Sequence, residues 1–496
     1  MQISFYDGSQ KLKIDKPIRL IELFAGYGSQ AFALEYLGKD VQSWKICEWA
    51  VKSIQAYKDA HFPEDNTDYS KDLKDDVILE ILCKLGISAN YNEPMTREQI
   101  KRLGTQKQRQ IYNNIRATHN LVNIQQVNGE DLEIKDTDKY CYIMTYSFPC
   151  QDLSSAGLGK GMAKGSGTRS GMLWEVERIL DELKEKPQIL LMENVPEVIG
   201  TNNIEHFAKW LAKLESLGYH CYWKVLNATD YDIPQNRERC FMVSVLGDYY
   251  YDFPQPNKLE YKLSDLLEDE VDEKYYLSDV AINGKINSNF ECSKLERIIP
   301  NENGVSPTLC ARDYKDPKCV IESNSKDKYV SIKGKLYPIT KNNDNFIQWK
   351  QKGFLESDCR AWKSDKVSGT LTTNGKNKVV ENLKTKLCND LIQNNKVKEF
   401  DVIRHSYSNS RMENWKERNI EQNNISPTLD TRCDCLGVVV DYRIRKYTPK
   451  ECFRLMGVKD QDFERIAKNQ SNASLYHLAG DSIVVNVLMA IFKNMF

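Results

Sequence analysis

The chain has 496 residues, 41% hydrophobic and 28% charged, the profile of a soluble globular protein too long for one ordinary core and suited to two or three domains. No run of about 20 apolar residues suggests a membrane span, and the polar stretch from Met1 to Lys16 lacks the apolar core of a secretory signal, so a cytoplasmic protein is expected. The net charge is −1, yet residues 301–450 hold 28 Lys+Arg against 19 Asp+Glu, a surplus of +9 that leaves −10 for the remainder. A basic segment of this kind fits a local polyanion-binding surface, and equally a solvated lysine-rich one. The 14 cysteines are scattered, and Cys433 and Cys435 have no second pair at zinc spacing, so reduced thiols and no metal site are expected.

Residues 18–25 predict a buried strand that ends in the glycine turn Gly26-Tyr27-Gly28, followed by helical spacing over 29–37. A second strand, Ser43–Cys47, ends at Glu48, which completes a βαβ unit with an acid about 20 residues past the glycines. Residues 59–123 are polar and charge-rich and read as an insertion with two or three helices. Strand patterns return at Tyr140–Tyr146, Ile189–Met192, Cys221–Val225 and Cys240–Val245, with helices between them at Met172–Leu183 and Ile204–Leu217. This alternation predicts an α/β fold with a doubly wound, mostly parallel sheet. The character changes at Asp252-Phe253-Pro254-Gln255-Pro256, so a first domain is expected over 1–256 and a smaller, irregular, β-rich one over 257–457. Residues 458–496 return to helical patterning and rejoin the first domain. Within the second region a phrase recurs at Val305 to Leu309, Val367 to Leu371 and Ile425 to Leu429, each ending in Thr-Leu. It reads as repeated strand-turn elements from duplication, or as convergent turn chemistry.

Four segments offer chemistry. Cys150, in Ser147-Phe148-Pro149-Cys150-Gln151, follows a strand in the loop at its carboxyl end, the ligand-facing edge of such sheets, and a glycine-rich stretch succeeds it. Most lone cysteines are buried core thiols; position and continuation favour a nucleophile here. Glu193-Asn194-Val195-Pro196 follows the strand at 189–192 and suits either a carboxylate facing Cys150 or a helix cap. Arg237 and Arg239 are two apart, so an extended chain points both to one face, where they serve a site or a surface salt-bridge cluster. The glycine turn lacks the third glycine of the dinucleotide fingerprint, which fits a nucleoside cofactor such as S-adenosylmethionine, with Glu48 accepting ribose hydroxyls.

Taken in order, Phe24-Ala25-Gly26-Tyr27-Gly28, Pro149-Cys150-Gln151, Glu193-Asn194-Val195, Gln235 to Arg239, Arg445 to Pro449 with Arg454 to Gly457, and Gly480-Asp481-Ser482 resemble the cytosine-5 DNA methyltransferase family. The resemblance implies a Rossmann-like S-adenosylmethionine-dependent fold with a smaller target-recognition domain. It implies Cys150 as nucleophile, Glu193 holding and protonating cytosine N3, Arg239 at the base carbonyl and Arg237 in support. Phe24, Ala25, Gly26, Gly28, Glu48, Trp49, Asp131, Leu132 and Pro149 would line the methyl-donor pocket, closed by Asp481 and Ser482. Asp481 stands where the family usually has Asn, and it accepts the same hydrogen bonds without donating. The implied partner is double-stranded DNA, bound by a monomer, with a companion restriction endonuclease in prospect. The chemistry asks for the same residue types. Cytosine C5 becomes nucleophilic only after a thiolate adds at C6, N3 then needs an acid with a raised pKa, and charge on the ring oxygen needs a fixed cation. A duplex hides the carbon, so the base must swing out, and separate Thr-Leu elements could read several sequences. The rival readings are a tRNA cytosine-5 methyltransferase and a catalytically silent DNA-binding regulator.

Overall fold

The central strands are buried at nearly every position and mostly apolar, because both of their faces are covered. Along β1 (Ile18–Leu23), β3 (Cys141–Tyr146) and β4 (Ile189–Asn194), alternate side chains enter two separate cores. Leu20, Ile143, Ile189 and Leu191 face one core; Leu23, Met144, Leu190 and Met192 face the other. With β2 (Val41–Cys47), β5 (Tyr219–Asn227) and β6 (Glu238–Leu246), these strands form a six-stranded sheet in the order β2-β1-β3-β4-β6-β5. The β2, β1, β3 and β4 neighbours pair in parallel, while β6 runs antiparallel to both β4 and β5. The expected doubly wound α/β sheet is thus present, with one reversed strand. That reversal matters: the start of β6, rather than its end, reaches the sheet edge where β1, β3 and β4 finish. The computed structural model describes residues 10–149, 169–275, 305–315, 318–322, 328–332, 335–339, 402–405, 435–440 and 443–496.

Helices cover both faces. α1 (Ser29–Tyr36) and α2 (Val51–His61) follow β1 and β2; α6 (Leu173–Glu182) and α7 (Ile204–Ser216) cover the opposite face, where Trp210, Phe207 and Leu180 are fully buried. The insertion forms three helices, α3 (Asp75–Leu85), α4 (Arg97–Arg102) and α5 (Thr105–Ala117). Ile78, Leu82, Ile100, Ile111 and Ile115 give it a small core shared with Ile54 of α2. α8 (Pro449–Arg454), with Pro at its first position and capped by Thr448 and Glu451, is followed by α9 (Asp460–Ala467), α10 (Asn472–Asp481) and α11 (Val485–Lys493). Gly480 and Asp481 close α10. Residues 472–493 are long and apolar enough to cross a membrane by composition, but they break into two helices and most of the stretch is buried.

The expected boundary at 257 is displaced. Leu263 and Leu309 belong to the same core as Leu20 and Phe32, so this part of 257–315 packs with the six-stranded sheet. The chain leaves through β7 (Cys319–Glu322) and returns through β12 (Arg443–Lys446), which pair antiparallel as a two-stranded stalk. Beyond the stalk, β8 (Lys328–Ile332), β9 (Lys335–Ile339), β10 (Val402–His405) and β11 (Cys435–Val440) form a four-stranded sheet in the order β9-β8-β11-β10. The first Thr-Leu element is also not a protruding reader. Ser306 and Pro307 pair with Gln235 and Asn236, and Thr308 Oγ1 donates to the Asn236 carbonyl at 2.6 Å. The second and third elements, at 368–373 and 426–432, lie outside the described residues.

Where the stalk returns, Arg445 and Glu451 form a two-point ion pair, 2.8 Å at each contact, with both side chains at 0% exposure. Glu451 also caps α8 and accepts from the Glu268 amide. Removing the guanidinium strands a buried carboxylate. Arg445→Ala should therefore lower unfolding stability by about 3–5 kcal/mol, read as a shift in the urea midpoint.

Candidate functional site

The carboxyl ends of β1, β3 and β4 and the start of β6 converge on a cavity of about 260 Å3. Its position beside β1, where the chain first runs outward to β2 and then crosses back to β3, is the topological switch point of the sheet. Phe24, Ala25, Gly26, Glu48, Trp49, Pro149, Glu193, Arg237, Arg239, Asp481 and Ser482 all line it, so eleven residues singled out from separate stretches of sequence meet in one space.

Glu48 is set by backbone. The amides of Gly26 and Ala50 donate to its two oxygens at 3.0 and 2.8 Å. Asn120 locks the strand end beneath it, accepting from the Glu48 and Val122 amides and donating to the Glu48 carbonyl. Burial pushes the Glu48 carboxyl up to about 7, against those two amides. Gly26, in the left-handed region with φ +57, turns its amide to Glu48.

Three of the expected pocket residues stand elsewhere. Gly28 caps α1 with φ +85, and a Cβ there would meet His61 Nε2 at 2.3 Å, so this glycine serves helix packing rather than the cavity. Asp131 caps its own turn through the Asn128 amide, and Leu132 is buried within the hydrophobic core and does not line the cavity. The wall assigned to them is made by Val122, Asn123, Ile124 and Gln125. Sequence reading missed that segment, and also Tyr91, Asn92 and His477, which line the cavity too. The available signal was the apolar Leu121-Val122-Asn123-Ile124 run at the end of the insertion.

At the other end of the cavity Glu193 and Arg239 pair at 3.2 Å, with side chains 10% and 17% exposed. Burial raises the Glu193 pKa, and Arg239 and then Arg237 oppose the rise. Asn194 donates to the Phe148 carbonyl at 3.0 Å, tying the end of β4 to the loop that carries Pro149. Cys150 and Gln151 lie outside the described residues. Asp481 exposes half its side chain where it lines the cavity, 3.6 Å from His477 Nε2. Close packing lifts its pKa, with His477, Arg237 and Arg239 pulling the other way.

The two arginines divide their work. Arg239 meets Glu193 and its neighbour's carbonyl. The Arg237 guanidinium donates to the carbonyls of Leu309, Gly480 and Ser482 at 2.8, 3.1 and 2.6 Å and is 4% exposed, a positioning role rather than a catalytic one. Among the described residues no group of three His, Cys, Asp or Glu is placed to hold a metal. Because buried carbonyls left without donors are costly, Arg237→Ala should cost about 2–4 kcal/mol in chemical unfolding, and Arg239→Ala less than about 1 kcal/mol, since Glu193 can take up a proton.

The family profile "C-5 cytosine-specific DNA methylase" matches residues 100–496. The type II methyltransferase M2.ScrFI of Lactococcus lactis subsp. cremoris is 30% identical over 483 residues, covering 97% of this chain and 99% of that protein. The orphan methyltransferase M.SssI of Spiroplasma monobiae is 38% identical over 268 residues, 53% of this chain and 68% of that one. The solved structure of the Entamoeba histolytica methyltransferase EhMeth shares the fold, with a TM-score of 0.51 and 13% identity over 97% of this chain and 98% of that chain. The cavity at the switch point, its buried acids and these matches place this chain in the C-5 cytosine-specific DNA methylase family, as a DNA cytosine-5 methyltransferase.

Proposed function

We propose that the chain methylates C5 of a cytosine swung out of duplex DNA, through a transient bond between Cys150 and ring carbon C6. The observation that carries this reading is the Glu193–Arg239 pair standing in the same cavity as Phe24, Glu48 and Pro149, the residue next to Cys150. The cavity suits S-adenosylmethionine. Phe24, Trp49, Val122 and Ile124 offer flat and apolar walls for a purine, Glu48 offers acceptors for the ribose hydroxyls, and Asp481 offers negative charge to a cationic tail. When bound, S-adenosylmethionine supplies an electrophilic methyl group.

The protein's own groups do the rest. The Cys150 thiolate adds to C6, and the ring electrons move toward C5 while N3 takes a proton. Glu193 is suited to deliver that proton because burial already favours its neutral form. Arg239, permanently charged, faces the developing charge on the ring oxygen. Once C5 carries the methyl group, loss of its proton restores the ring and expels the sulfur. Asn194, by gripping the Phe148 carbonyl, keeps the cysteine loop at the end of β4.

The basic surplus of 301–450 supports phosphate contact by the region beyond the stalk, which we assign to target reading. We further assign the methylation to a monomer in the cytoplasm; protection of DNA from a restriction endonuclease fits the type II name of one relative, and the orphan name of another fits an enzyme without that companion. Incubation of duplex DNA and tRNA together with labelled S-adenosylmethionine tests the substrate. Label should enter only the DNA, Cys150→Ala should abolish it, and Glu193→Gln should lower kcat by about 10²–10⁴-fold. Label in tRNA, or transfer surviving in Cys150→Ala, would overturn the proposal.

The raised pKa of Glu48 gives a second check. Its carboxylate, the better acceptor for two hydroxyls, forms only as pH rises through about 7. Affinity for S-adenosylhomocysteine should tighten up to about tenfold between about pH 6 and about pH 8, and Glu48→Gln should flatten that dependence in calorimetric titration.

A further inference from the structure

We infer that Tyr91, carried by the helical insertion, is a binding residue for the methyl donor and holds it in the cavity. This rests on the reading of the cavity as the S-adenosylmethionine site.

The loop that bears Tyr91 is fastened to the residues that follow β2. The Ser88 amide donates to the Trp49 carbonyl at 2.8 Å, and the Val51 amide donates to the Ser88 carbonyl at 2.9 Å. Ser88 is fully buried. Its hydroxyl donates to the Glu93 carbonyl at 2.7 Å and accepts from the Tyr91 amide at 3.1 Å. Asn90 accepts from the amides of Asn92 and Glu93 at 3.0 and 3.2 Å. Tyr91 thus moves as one piece with Glu48 and Trp49, and its backbone is held at φ +63, where a bulky residue is rarely found.

The side chain repays that conformation only through what it touches. Its ring lines the cavity and meets His477 of α10 edge to face, with centroids 4.1 Å apart. The Ser53 hydroxyl reaches its phenol oxygen at 3.4 Å. Glu48 and Asp481 both act on its phenol electrostatically, so Tyr91 stands near the two acids that frame the ribose and the cationic tail. A ring in that place joins the insertion to α10 across the cavity and is positioned to cover the middle of a bound nucleoside. An extra segment packed beside α2 would otherwise need no aromatic residue in a left-handed turn at the cavity wall.

The φ value supplies a clean test, because glycine adopts it without strain. In Tyr91→Gly the turn keeps its hydrogen bonds and loses only the ring. Titration calorimetry with S-adenosylhomocysteine, at a temperature far below unfolding, should give one site per chain for the wild type, Tyr91→Gly and Tyr91→Phe. Kd should rise about tenfold in Tyr91→Gly and stay within about threefold of wild type in Tyr91→Phe. Full stoichiometry in Tyr91→Gly certifies a folded pocket, so a Kd within about twofold of wild type would overturn the inference. Absence of binding by the wild-type protein would instead sink the reading of the cavity itself.

Discussion

The Arg237 guanidinium binds carbonyls of Leu309, Gly480 and Ser482, and so joins the start of β6 to two segments far along the chain. That junction helps fix Asp481 and Ser482 beside Glu48, and it ties the segment leading to the stalk to the same point. The packing around it leaves little slack. Gly480 lies so close to the Cys310 backbone that a Cβ would sit 2.1 Å from its carbonyl carbon. Tyr27, from the glycine turn, completes the join by donating to the Ser482 hydroxyl at 2.8 Å. The two ends of the sequence thus build one wall, which explains why motifs more than 400 residues apart serve a single pocket.

The cavity is electrically divided. Glu48 and Asp481 stand on the side that we assign to a cationic donor, and Glu193 stands with Arg239 on the side assigned to the base. Burial raises the pKa of Glu48 and Glu193, and the protein packed around the half-exposed Asp481 raises its pKa too, so the three acids need not all be ionised at once. A cation entering beside Glu48 and Asp481 favours their ionised forms. Glu193 keeps its own partner and a tendency toward the neutral acid, which is the form that a proton donor to N3 must have.

Much of this was legible in the sequence because strand ends and turn residues are local signals. The apolar runs at 18–23, 141–146 and 189–192 locate the ligand-facing edge, and Phe24, Glu48, Pro149 and Glu193 follow from it. What failed was whatever depended on distant packing. Gly28 looked like part of a cofactor turn, but its missing side chain makes room for His61 from another helix. Asp131 looked like a pocket acid, but its carboxylate is used by the nearest amide. The boundary at 257 followed a change in composition, whereas Leu263 and Leu309 return to the first core. Tyr91 lay in a polar insertion with no periodic signal, and only the pairing of Ser88 with the chain after Glu48 brings it to the site.

The central claim is a covalent bond from Cys150 to cytosine C6. DNA carrying 5-fluorocytosine at the target position tests it directly, because fluorine cannot leave C5 as a cation and the sulfur–carbon bond then persists. With S-adenosylmethionine present, the account predicts a denaturation-stable complex of one chain per site, with the modified peptide containing Cys150. Methylation of ordinary DNA without any trapped complex would contradict it. So would attachment at Cys310, whose exposed thiol is close enough to feel Arg237 and Arg239.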